Sequence, residues 1–156
     1  MKITSHIKKF RRLDAIKRRL DPETDTELWI WSAMNACTQL LNAALHHCGL
    51  TKEIDSFHTQ VEGLYAVPKR DNGALIDSQH PPGDVMHVDQ PAIARPWPPA
   101  IDHACAALRV IEDLRKPYVR GSEPVKREAT IQWELAYSEC VAQLSKVLGV
   151  PVGDTK

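Results

Sequence analysis

A chain of 156 residues, 43% hydrophobic and 26% charged, has material for one domain with one core and does not fit a wholly disordered protein. The longest unbroken apolar run, Ala104 to Leu108, is far short of the roughly 20 residues a membrane span needs, and no apolar stretch follows the basic N-terminus, so neither a span nor a secretory signal is expected. Basic and acidic residues cancel at 20 each, but residues 1–20 carry eight basic side chains against Asp14 alone, a net +7 that leaves −7 on the rest: a basic arm on an acidic body.

The first helix is expected over Ile3 to Leu20. Ile3, Ile7, Phe10, Leu13, Ile16 and Leu20 recur at spacings of three and four. Lys8, Arg11, Arg12, Arg18 and Arg19 fall on the opposite side. Asp21 precedes Pro22, and a residue before proline resists the helical conformation. The second helix starts at Asp25 or Thr26, either of which can cap the free amides, and stops at Gly49. Its apolar residues, among them Leu28, Trp29, Trp31, Leu40 and Leu45, cover more than half its circumference. Such a helix is central to a bundle or lies at a subunit interface. A shorter helix, Lys52 to Tyr65, carries the stripe Ile54, Phe57, Val61 and Leu64.

Residues 66–100 hold seven of the eleven prolines and keep no helical period. Ala74–Ile76 and Val85–Val88 flank Pro81-Pro82-Gly83 and could pair as a small hairpin. A loop of this length inside a compact domain is often functional, and its apolar residues, Trp97 included, suit an ordered flap. The next helix begins at Pro98 or Pro99, where proline fits the first turn, and runs to Tyr118. Ile101, Ala104, Cys105, Leu108, Ile111 and Leu114 form its stripe. Arg115, Lys116 and Arg120 near its end complement the helix dipole. The last helix spans Glu123 to Leu148, with Trp133, Tyr137, Cys140, Leu144 and Val147 on its apolar side. Residues 149–156 are a loose tail. The expected architecture is a single all-α domain over 1–156: a four- to five-helix bundle with a long Pro-rich loop between its two helical halves.

Cys37, Cys48, Cys105 and Cys140 include no C-x-x-C pair, so they read as reduced core thiols of a cytoplasmic protein. The stretch from Leu41 to Gly63 concentrates His46, His47, Cys48, Asp55, His58 and Glu62. His46, His47 and Cys48 are consecutive, point about 100° apart on a helix and cannot share one ion. They read as helix-end residues facing free carbonyls and the negative dipole end. Asp55, His58 and Glu62 lie within one arc, and a carboxylate–imidazole set suits zinc, manganese or iron. That arc flanks the apolar stripe, so a core-edge histidine beside carboxylates competes with a metal site. The loop group Asp77, His80, Asp84, His87 and Asp89 is compositional only. No metalloprotease, nucleotide-binding or serine-hydrolase motif occurs.

The ridge Lys8, Arg11, Arg12, Arg18 and Arg19 could neutralise phosphates, although the neutral total charge favours docking of this arm on its own acidic body or a second subunit. Seven residues separate Arg95 from His103, and Pro96 follows the arginine. In size and helical plan alone the chain resembles the HEPN ribonucleases. Their signature sets an arginine a shorter gap before a histidine near the start of a late helix, with a polar residue after the arginine. The resemblance carries over no catalytic role; Arg95 and His103 are the pair to change if ribonuclease activity is found.

The leading expectation is a noncatalytic binding or interaction protein acting as a homodimer, without cofactor or membrane contact. A small ligand or partner would sit under the flap near His87, Trp97 and His103. A metal-dependent enzyme or divergent ribonuclease is the alternative, and nucleic-acid binding through the first helix a further one.

Overall fold

The computed structural model describes residues 1–53, 96–121 and 123–150. These form four α-helices, with no strand among the described residues: α1 Ile3–Lys17, α2 Thr26–His47, α3 Pro99–Arg115 and α4 Arg127–Leu148. The helical class expected from the periodicity is therefore the observed one. The helix expected over 52–65, the 74–88 hairpin, the 66–100 loop up to residue 95 and the tail from 151 lie outside the described residues.

The chain makes two helical hairpins, α1 with α2 and α3 with α4. They dock through α2, which touches all three other helices. This explains the broad apolar surface of α2: Trp29, Ile30, Ala33, Leu40, Leu41 and Leu45 are all fully buried within one chain. Most of the apolar circumference that suggested a subunit interface on α2 is consumed internally, while Leu28 and Trp31 stay exposed near its start. Phe10 from α1, Ile101, Leu108 and Ile111 from α3, and Trp133, Cys140 and Leu144 from α4 complete the core. Each such side chain contributes about 1.5–3 kcal/mol by leaving water.

Helix boundaries follow local chemistry. Neither expected cap serves α2 through its side chain. The Asp25 carboxylate accepts from the Asp21 amide at 3.0 Å, and the Thr26 hydroxyl donates back to Pro22 O at 2.8 Å. At the far end Gly49 takes φ 69°, so its amide reaches His46 O (3.0 Å) and the Leu50 amide reaches Leu45 O (3.0 Å). A left-handed residue there satisfies two terminal carbonyls, which favours glycine. Helix α3 stops at Arg115 rather than Tyr118, and Lys116–Arg120 widens into a π-turn. Pro117 explains it: proline cannot donate to the ladder and crowds the carbonyl four residues back. Gly121 closes this turn, where an added Cβ would run into Pro117 O. Helix α4 begins at Arg127, not Glu123: Pro124 keeps Glu123 out of helical geometry, and Lys126 is still extended, at φ −99° and ψ 139°.

Candidate functional site

The α1 face that enters the bundle is His6, Phe10 and Lys17, with Ile3, Ile7 and Leu13 half-buried beside it. Ile16, expected on the apolar stripe, is 41% exposed, and Lys17 takes the inward position. A lysine is tolerated there because three helices converge on its ammonium. Nζ lies 2.6 Å from Glu134 Oε2, 4.9 Å from the Trp29 ring centroid and 4.3 Å from that of Tyr137. A cation over aromatic faces and against a carboxylate recovers much of its lost hydration. Glu134 is shared: its Oε1 accepts from Trp29 Nε1 at 3.2 Å. The Tyr137 hydroxyl donates to Asp14 Oδ1 at 2.7 Å, and Arg18 Nε donates to Asp14 Oδ2 at 2.9 Å.

The result is a continuous polar cluster at the α1–α2–α4 junction: Arg18, Asp14, Tyr137, Lys17, Glu134 and Trp29. Burial, reinforced by Cys37 and by the bond to Asp14, pushes the Tyr137 hydroxyl far above its ordinary range, so it acts as a donor and not as a base. Each charged group is matched to an opposite one across helices or along α1. The cluster works as a latch between the first and last helices. Beside it runs an open groove of about 580 Å³, bordered by Tyr137, Ser138, Val141, Ala142 and Ser145 of α4 and by Asp14, Lys17 and Arg18 of α1.

The histidines divide. His46 was expected to face terminal carbonyls, but the Gly49 turn already satisfies those, and the ring turns inward. Its Nδ1 lies 2.6 Å from Thr51 Oγ1, and its ring lies 5.2 Å from that of His6. His6 Nδ1 donates to Gln39 Oε1 at 2.8 Å. His47 is exposed. The pair His6–His46 thus fastens α1 to the end of α2.

Of the flap candidates, Trp97 belongs to the core and His103 is exposed on α3; His87 lies outside the described residues. Asp55, His58 and Glu62 also lie outside them, as does Arg95. Among the described residues no group of three His, Cys, Asp or Glu side chains could hold a metal ion. Lys8, Arg11 and Arg12 are exposed on α1, as the periodicity predicts; the helix ends at Lys17 rather than Leu20, and Arg18 and Arg19 are exposed in the turn that follows it. All four cysteines are free, three of them buried. The Cys140 thiol is pushed well up by burial, with a hydrogen bond to Cys37 adding to the effect, which leaves it an unreactive core group.

One surface escaped the sequence reading. On α4, Ile131 and Leu135 are 51% and 65% exposed, on the side away from the Trp133–Tyr137–Cys140–Leu144 stripe. The signal was present in the spacing: Ile131, Leu135, Ser138 and Ala142 recur at four, three and four, and all four are exposed. A helix with one strong core stripe hides a second, weaker one. Among the described residues no helix is long and apolar enough to cross a membrane. No family model, curated protein or solved structure matches the chain.

Proposed function

We propose that this chain is a noncatalytic interaction protein whose working form is a homodimer. The observation that carries the reading is the exposed Ile131–Leu135 face of α4, beside an open groove lined by small residues of the same helix. An exposed apolar stripe next to a groove is what an interface needs: something to insert and somewhere to insert it. The ionisable groups at the helix junctions do different work, since Lys17, Glu134, Asp14 and His6 each tie helices together and His46 packs against His6. Free core thiols suit a reducing compartment, which favours the cytoplasm.

Light scattering at micromolar concentration tests this. The chain is expected to elute with twice its monomer mass. Leu135→Glu is expected to elute at the monomer mass with an unchanged circular dichroism spectrum. A monomeric parent protein refutes the reading.

A second reading rests on the exposed ridge Lys8, Arg11, Arg12, Arg18 and Arg19. It predicts binding to a polyanion whose affinity falls steeply with salt. That affinity is lost when Arg11 and Arg12 are changed to Gln. Heparin-column elution below 0.1 M salt, on the order of physiological strength, rejects it.

A further inference from the structure

We infer that two copies of this chain pair through antiparallel α4 helices about a two-fold axis between Leu135 and Ser138. The inference rests on the proposed homodimer and specifies its geometry. Ile131, Leu135, Ser138 and Ala142 form one exposed row with the four–three–four spacing of a helix–helix seam. In an antiparallel pair centred on that row, Leu135 of one copy faces Ser138 of the other, and Ile131 faces Ala142. Every layer then joins one large side chain with one small one. A parallel pair would stack leucine on leucine but serine on serine and alanine on alanine, leaving half the seam underfilled. Close packing favours the mixed layers.

The groove supports the same register. Ser138 and Ala142, the small members of the row, form part of its border together with Val141 and Tyr137. The antiparallel register therefore brings each exposed Leu135 to the edge of the other copy's groove. Charge supports it as well. Glu128 lies one turn before Ile131, and Lys146 lies one turn after Ala142; both are exposed on the same flank of α4. Antiparallel pairing sets each Glu128 beside the other copy's Lys146, twice per dimer. Parallel pairing would put the two copies' flanks on opposite sides of the seam and form neither pair. A two-fold interface made from one patch on each copy closes on itself and yields a dimer, not a filament.

A charge swap tests the orientation, read as the dimer dissociation constant by sedimentation at low ionic strength. Glu128→Lys alone is expected to weaken the dimer roughly five- to tenfold, because both cross-copy pairs become repulsive. Lys146→Glu alone is expected to do the same. Glu128→Lys with Lys146→Glu in one chain rebuilds both pairs reversed and is expected to return the constant to within about twofold of the parent. A parent dimer whose constant ignores the single changes, or that the double change fails to restore, overturns the antiparallel pairing and leaves the homodimer standing. A monomeric parent overturns both.

Discussion

Replacing Glu134 by Leu leaves the Lys17 ammonium inside the bundle with aromatic faces but no carboxylate, and leaves Trp29 Nε1 without its acceptor. Lys17 is only 8% exposed at its side chain, whereas Glu134 is 44% exposed. The two halves of this pair are therefore not equivalent. An uncompensated buried charge costs about 3–5 kcal/mol. The open flank around Glu134 lets Lys17 lean toward water, which places the expected cost of Glu134→Leu near 3 kcal/mol. Lys17→Met keeps the aliphatic stem and removes the charge. It loses two cation–π contacts, about 0.5–1 kcal/mol each, and a pair whose carboxylate water can still solvate. It also removes the ammonium's desolvation cost, so about 1–2 kcal/mol is expected. The double variant has no stranded ammonium and is expected near 2 kcal/mol, well below the sum. Urea unfolding followed by tryptophan fluorescence measures all three, with a constant slope confirming comparable two-state transitions. Equal costs for the single variants, or strictly additive ones, would refute the claim that a buried ammonium is the costly partner.

Gly121→Ala drives a methyl group into the Pro117 carbonyl and is expected to destabilise the protein by about 1–3 kcal/mol. An unchanged urea midpoint removes that close approach from the account. The Asp21 carboxylate is held below its usual 3.8 by the amides of Thr24 and Glu23, which donate to it at 3.0 and 2.8 Å. A depressed folded-state value means stability that is present above pH 3.8 and lost as pH falls through the folded value. Asp21→Asn should therefore close its gap to the parent as the solution is acidified below that point. A stability gap that stays constant on acidification contradicts this.

All four described helices were legible in the three-and-four spacing of apolar residues, because amphipathic period is a local property. Gly49, Pro99 and Gly149 marked three of the ends for the same reason, whereas α1 and α3 each stop three residues before the expected end and α4 begins four residues late. The burial of Lys17 was not legible. In sequence it is one more cation on a basic arm, and the groups that hold it, Glu134 and Tyr137, belong to the last helix. Ile16 shows the converse: its spacing fits the stripe, but the helix rotates to seat Lys17 and leaves it outside. His46 was misread because the Gly49 turn had already satisfied the carbonyls it was expected to meet. The exposed row on α4 is hard to see beside a stronger stripe that starts with two aromatic residues, Trp133 and Tyr137.

The latch between α1 and α4 also has a meaning for vectorial synthesis. Lys17 and Glu134 are 117 positions apart. At the usual 5–20 residues per second, the carboxylate is made roughly 6 to 23 s after the ammonium it will hold. During that interval the α1–α2 hairpin can form from local contacts, but Lys17 lacks its carboxylate and the indole of Trp29 lacks its acceptor. The first three turns of α4 deliver together the second indole, the counter-ion and the Tyr137 bond, so the latch closes with the opening turns of that helix.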